Sequence, residues 1–112
     1  MLSHHIKARK ASAAPSPEIE RDAAIVSSFL SDAAHVPGGF AAGVAFPRSE
    51  AEVAALVSRA RRVLPVGAQS SLTGGATPRG EVVLSTRALT AIGRPSTTRI
   101  RVGAGVPLNL LQ

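Results

Sequence analysis

Residues 43–66 place two short apolar segments on either side of one amphipathic segment, and this pattern constrains the fold more than any other. Residues 43–46 and 63–66 are apolar and bounded by Gly or Pro, which predicts two buried strands. Ser49 and Glu52 form a capping box, in which each side chain satisfies a free backbone N–H at the start of a helix. Apolar side chains then recur at helical spacing: Val53, Leu56, Val57 and Ala60. The pattern predicts a β-α-β unit with parallel strands and a right-handed crossover.

A second helix is predicted before this unit. Ser16 can cap it, with Pro17 at its first position. The apolar residues that follow at helical spacing are Ile19, Ala23, Val26 and Leu30. We expect this helix to end before Pro37-Gly38-Gly39.

Further strands are predicted for residues 81–85 and 98–102, and a helix begins at Val106. Residues 1–15 predict a disordered tail, so that one α+β domain covers residues 16–112. Three leucines near the end have no evident partner in the sequence: Leu108, Leu110 and Leu111. We expect another chain to cover them, or the chain to be a truncated piece of a longer protein.

The loop Val66-Gly67-Ala68-Gln69-Ser70-Ser71-Leu72-Thr73-Gly74-Gly75 joins two of the predicted strands. Its glycines allow a ligand to approach the backbone closely, and its hydroxyl side chains add donors. No Lys or Arg lies within it, so backbone N–H groups would carry the contact with an anion. A wide surface turn is the alternative interpretation.

Other nucleotide motifs fail on spacing. In a P-loop counted from Gly67, Leu72 stands at the Gly position and Thr73 at the Lys position. In Gly103-Ala104-Gly105-Val106-Pro107-Leu108, Leu108 replaces the third Gly of the Rossmann fingerprint.

Composition argues against several functions. The chain has no Cys, which excludes thiolate ligands and nucleophiles, and its histidines are His4, His5 and His35, so no metal site is expected. Net charge is +6, but the basic residues are scattered and the three aromatic residues are all Phe, so we expect no nucleic-acid binding. The sequence contains no run of about 18 apolar residues, so it predicts no membrane span. Asp32 and His35 could form an acid–base pair, but a capping or surface role is expected.

Three motifs together carry a family resemblance: Val44-Ala45-Phe46-Pro47-Arg48-Ser49-Glu50-Ala51-Glu52-Val53, then Leu64-Pro65-Val66 with the loop, then Val82-Val83-Leu84-Ser85. They resemble the start of the PCMH-type FAD-binding domain of the vanillyl-alcohol oxidase superfamily. The pattern is most similar to the group that contains the flavin-binding chain of glycolate oxidase and D-lactate dehydrogenase. The resemblance runs from about Asp32 to the end of the chain and implies an α+β fold, of which this is the N-terminal β-α-β portion with the strands that follow.

The resemblance implies that backbone amides of the loop bind the FAD pyrophosphate. The matching positions are Gly67, Ala68, Gln69, Ser70, Ser71 and Gly74. Relatives with covalent flavin often carry His where this chain has Ser70, so we expect non-covalent FAD. Many relatives also carry Arg where this chain has Val66.

The implied activity is flavin-dependent oxidation of a 2-hydroxy acid such as glycolate or D-lactate, in the cytoplasm. The family's catalytic residues lie beyond the matched part, so none is assigned here, and the remaining FAD and substrate domains would come from a further chain. Two alternatives remain. The chain is a fragment without activity of its own, or it is a small basic module that binds anions or nucleic acid.

Overall fold

The computed structural model describes residues 15–111, and the predicted disordered tail lies outside this range except for Pro15. Four strands form one sheet in the spatial order β1-β2-β4-β3. The strands are β1 (Ile19–Glu20), β2 (Gly43–Ala45), β3 (Val63–Val66) and β4 (Val82–Ser85). Two helices, α1 (Ala23–Ser27) and α2 (Glu50–Arg59), accompany the sheet. The α+β class predicted from the sequence is confirmed.

The strand pairings determine where the loop lies. β2 and β3 are both parallel to β4, which lies between them, whereas β1 runs antiparallel to β2 at the edge. The predicted parallel direction of β2 and β3 is therefore confirmed, but the two strands do not pair with each other. The carboxyl ends of β2, β4 and β3 lie along one edge of the sheet, and the loop starts from that edge.

Helix α1 is the only part of the predicted first helix that forms among residues 15–111. It begins at Ala23, so the predicted start at Ser16 is wrong, and it ends at Ser27. Ile19 and Glu20 pair with Ala45 and Val44 as an edge strand. The cap is Asp22, whose Oδ1 accepts hydrogen bonds from the N–H groups of Ala24 and Ile25 at 2.8 and 3.4 Å. Pairing with an open sheet edge has overridden the helical spacing of the apolar residues.

Helix α2 follows the prediction closely. The Ser49 hydroxyl accepts a hydrogen bond from the Glu52 N–H at 3.2 Å, which is one half of the predicted capping box. Leu56 is buried and packs the helix against one face of the sheet. Because side chains alternate along a strand, the sheet supplies two apolar clusters. One contains Ala45, Leu56, Val82 and Leu84, and the other contains Phe29, Val44, Val66 and Val83.

The predicted strand over residues 98–102 is wrong. Ile92 and Val102 form a single antiparallel bridge, flanked by a hydrogen bond from the Gly93 N–H to the Arg101 carbonyl at 2.7 Å. Alternating apolar side chains here meet no continuous partner strand, so no ladder forms. The helix predicted from Val106 is a 3₁₀ helix, Leu108–Leu111, in which Leu108 is 74% exposed and Leu110 63% exposed.

None of the helices described between residues 15 and 111 has the length and apolar character that a membrane crossing requires.

Candidate functional site

The glycine-rich loop leaves the sheet at the carboxyl end of β3, as the sequence predicts. Val66, the last residue of β3, is buried and accepts a hydrogen bond from the Thr86 N–H at 3.1 Å. This bond ties the root of the loop to the exit of β4. In open sheets with parallel strands, ligands bind beyond the carboxyl ends of the strands, and this loop occupies that position.

Gln69 anchors the first half of the loop through its side chain. Its Nε2 donates hydrogen bonds to the carbonyls of Ser28 and Ser31 at 2.8 and 3.0 Å. Its own carbonyl accepts a hydrogen bond from the Ala33 N–H at 3.0 Å. Its φ of 57° is in the left-handed region, which a non-Gly residue adopts only when its surroundings hold it there. The Gln69 Nε2 is therefore committed to the chain itself, and the backbone N–H is the remaining donor of this residue.

Asp32 anchors the second half of the loop. Its Oδ1 accepts a hydrogen bond from the Ala34 N–H at 2.9 Å, and its Oδ2 accepts one from the Ala76 N–H at 3.2 Å. Burial alone would raise the pKa of this carboxyl, but the two backbone N–H groups and the nearby Ser71 side chain favour the charged form and lower its pKa below the ordinary value. The sequence predicts a capping or surface role for Asp32 rather than acid–base chemistry, and the structure gives its carboxylate hydrogen bonds from two backbone N–H groups of the chain.

Close backbone packing supports the end of the loop. Gly74 has a φ of 78°, and a Cβ there would lie 2.9 Å from Cγ2 of Val36. The Thr77 N–H donates to the Gly74 carbonyl at 3.1 Å, and the Phe40 N–H donates to the Pro78 carbonyl at 3.1 Å. Residues 28–36 thus contact the loop region at Gln69, Gly74 and Ala76.

Most residues of the loop are exposed, and the loop carries backbone N–H donors for a ligand. The backbone N–H groups at the six positions of the predicted site find no acceptor among residues 15–111. These positions are Gly67, Ala68, Gln69, Ser70, Ser71 and Gly74. A Cβ built on Gly67 would meet no atom within 4 Å, so the space beside this residue is open. Donors without acceptors, next to open space and with no carboxylate in the loop, suit an oxyanion.

A cation is held at the same sheet edge. Arg87 follows β4, and its guanidinium carbon lies 5.6 Å from the ring centroid of Phe29 and 5.3 Å from that of Phe46. The two rings meet edge to face, with their centroids 5.8 Å apart. Stacking on two rings restricts the guanidinium group. It provides positive charge at an edge whose glycine-rich loop contains none.

A cleft of about 400 Å³ lies between the start of α2 and residues 89–104. Its apolar lining includes Val53, Leu89, Ile92 and Val102. None of the six loop positions lines this cleft, so it is separate from the proposed anion site. Among residues 15–111, no group of three or more His, Asp or Glu side chains could hold a metal ion.

Sequence reasoning located the loop and named Asp32 and Gln69, but it did not find the partners through which these two residues shape the loop. Asp32 lies 44 residues from its partner Ala76, and Gln69 lies 41 residues from Ser28. Their polar side chains next to helix ends and turns were the available signals, but no local pattern specifies a partner at such a separation.

Comparison with known families supplies the ligand. The family model described as FAD binding domain matches residues 41–112, a range that includes the entire loop. A search of curated proteins gives no match to the chain. The unsatisfied N–H donors and the open space at Gly67 fit the pyrophosphate of FAD. Since the matched range covers more than half of its residues, the chain belongs to the FAD binding domain family.

Proposed function

We propose that residues 67–74 bind the pyrophosphate of FAD within a cytoplasmic flavin-dependent oxidoreductase that oxidises a 2-hydroxy acid such as glycolate or D-lactate. The observation that carries the proposal is the run of backbone N–H groups without an acceptor among residues 15–111, together with the open space beside Gly67. Membership of the FAD binding domain family supports FAD as the ligand. The six contact positions are Gly67, Ala68, Gln69, Ser70, Ser71 and Gly74.

The loop binds through preorganised dipoles. Gln69 is held by Ser28 and Ser31, and Gly74 is packed against Val36, so little ordering of the loop would accompany binding. Preorganised donors lose less conformational entropy when a ligand arrives, which favours affinity. Arg87 would add charge attraction from the neighbouring strand exit.

Bound FAD would supply a flavin ring that accepts a hydride from the substrate carbon bearing the hydroxyl group. This chain's part is to hold the cofactor, and no residue of it is assigned to catalysis. The 2-hydroxy acid substrate rests on the resemblance to the group of glycolate oxidase and D-lactate dehydrogenase.

Non-covalent attachment rests on Ser70, which is exposed and has no imidazole nitrogen with which to bond the flavin. We expect acid denaturation of the FAD-loaded protein to release all of its flavin into the supernatant. Flavin that stays with the precipitated protein would contradict non-covalent attachment.

Titration of the full chain with FAD, followed by flavin fluorescence, tests the binding site. Gly67→Val adds a side chain where the structure is open, so it should leave the fold intact and occupy the space that a phosphate needs. We expect its affinity for FAD to fall about tenfold or more, because hydrogen bonds to a charged group contribute about 1.5–3 kcal/mol each. Ala54→Val, at an exposed position of α2, adds the same branched side chain away from the loop.

Equal FAD affinity for Gly67→Val, Ala54→Val and the wild type would refute the assignment of the loop. The substrate class is tested separately, by anaerobic bleaching of flavin absorbance in the FAD-loaded complex of this chain with the chain that carries the remaining FAD and substrate domains. D-lactate or glycolate should bleach it, and propionate, which lacks the 2-hydroxyl group, should not. Failure of both 2-hydroxy acids would overturn the substrate proposal without affecting FAD binding.

A further inference from the structure

Asp32 is a buried carboxylate that lies outside the range matched by the family model. Its exposed fraction is 4%, whereas the match begins at residue 41. A buried carboxylate requires compensation by hydrogen bonds or by a cation. No salt bridge to Asp32 is found among residues 15–111, so its compensation comes from hydrogen-bond donors.

Those donors come from two separate segments. The Ala34 N–H closes a local turn on Oδ1 at 2.9 Å, and the Ala76 N–H from the end of the glycine-rich loop reaches Oδ2 at 3.2 Å. One carboxylate therefore joins the segment after α1 to the loop, and each of its oxygens serves one side.

Ser71 braces the middle of the loop locally. Its Oγ accepts a hydrogen bond from the Thr73 N–H at 3.3 Å. Its Oγ also lies 3.3 Å from Oγ1 of Thr73. The Ser71 hydroxyl is thus engaged with Thr73, and the Ser71 N–H has no acceptor among residues 15–111.

We propose that Asp32 is a positioning residue for the FAD pyrophosphate, which it serves by holding the Ala76 N–H, and with it the end of the loop, so that the loop N–H groups converge on one anion. This inference rests on the proposed function of the loop. It makes the segment before residue 41 part of the cofactor site, although that segment does not touch the cofactor itself.

The sign of the effect separates positioning from simple electrostatics. A carboxylate repels a nearby pyrophosphate, so removing its charge without any loss of geometry would tighten FAD binding. If Asp32 positions the loop, removing its charge weakens FAD binding despite the lost repulsion.

The experiment compares the FAD dissociation constants of wild type, Asp32→Asn and Asp22→Asn in the full chain. Asp22→Asn is the matched control, since it removes one negative charge from the same segment and Asn caps a helix as well as Asp does. We expect Asp32→Asn to weaken FAD binding about tenfold or more, because one N–H loses its charged acceptor. We expect Asp22→Asn to change it less than about twofold.

Affinities are measured at urea concentrations and temperatures where circular dichroism shows each variant to be folded, so that a loss of stability alone leaves the dissociation constant unchanged. In ¹⁵N–¹H spectra, Asp32→Asn should shift the amide resonances of residues 67–76, and Asp22→Asn should not. If Asp32→Asn does not fold, the FAD dissociation constant of Asp32→Ser is compared with that of the wild type instead. A serine can still cap the turn through the Ala34 N–H, but it is too short to hold Ala76 as well.

If wild type and Asp32→Asn bind FAD equally, or if Asp32→Asn binds more tightly, the positioning role is wrong while the proposed function stands. If the wild type does not bind FAD, the proposed function itself fails. The spectra of the ligand-free chain then still report whether Asp32 holds residues 67–76.

Discussion

Gln69 combines a left-handed backbone with two side-chain hydrogen bonds, and substitution can separate the two contributions. Gln69→Ala removes the bonds from Nε2 to the carbonyls of Ser28 and Ser31 and keeps a Cβ at a φ of 57°. Each such bond contributes about 0.5–1.5 kcal/mol. Since Ser28 and Ser31 are exposed and water can replace the lost donor, we expect a loss of about 1–2 kcal/mol in the free energy of unfolding.

Gln69→Gly loses the same bonds but also removes the steric cost of the left-handed backbone. That cost is about 1–2 kcal/mol for a residue with a Cβ. The greater freedom of Gly in the unfolded chain offsets about 0.5–1 kcal/mol of this gain. We therefore expect the wild type to be the most stable, followed by Gln69→Gly and then Gln69→Ala. The Gly variant should be about 0.5–1 kcal/mol more stable than the Ala variant.

Urea unfolding followed by circular dichroism measures these differences. With an m-value of about 1.5 kcal/mol/M, the Ala variant should unfold at a midpoint about 1 M below that of the wild type. Ser70→Ala is the control at an adjacent exposed position, and we expect a change within about 0.5 kcal/mol. A Gln69→Ala protein as stable as the wild type would refute the anchoring role, and a Gly variant less stable than the Ala variant would refute the backbone argument.

Two further predictions concern the core and the pH dependence. Leu56→Ala should lower the free energy of unfolding by about 2–5 kcal/mol because Leu56 is buried against the sheet, and Val57→Ala, at a 54% exposed neighbour, should cost much less in the same urea titration. Burial would raise the pKa of Asp32, but hydrogen bonds from backbone N–H groups lower it below its ordinary value of 3.8. The hydrogen bond from the Arg79 N–H lowers the pKa of Glu81 below its ordinary value of 4.5. The folded state thus binds fewer protons than the unfolded state, so this stability is present above those ordinary values and lost as the pH falls below them. As the pH is lowered from about 5 to about 3, the urea concentration at the unfolding midpoint should fall, and it should fall less in Glu81→Gln. An equally large fall in that variant would contradict the role of Glu81.

Local sequence was sufficient where the physical signal was local. The Ser49 cap and the apolar spacing up to Leu56 identified α2, and the apolar run at residues 63–66 identified β3 with the bounds that the structure has. Hydrogen bonds within one turn and burial of one helix face depend on residues a few positions apart, so the sequence contains them directly.

The errors arose where pairing depended on distant residues. Ile19 has helical spacing with Ala23, but it pairs with Ala45 at the free edge of β2. Ile100 and Val102 alternate as in a strand, but only Val102 finds a bridge partner, Ile92. Whether an apolar residue enters a strand depends on the presence of a neighbouring edge, which no local window shows.

By itself, the sequence determined that a loop rich in Gly and hydroxyl side chains follows a parallel strand, because small residues and a β-α-β pattern are local properties. Only the tertiary structure decided which loop groups are held by the chain and which have no acceptor among residues 15–111. It directs the Gln69 side chain to Ser28 and Ser31, joins Asp32 to Ala76, and leaves the N–H groups from Gly67 to Ser71 without acceptors in the described chain. The buried Asp32 carboxylate needs partners within the fold. It and Ser28 hold the loop region from about 40 residues earlier in the chain.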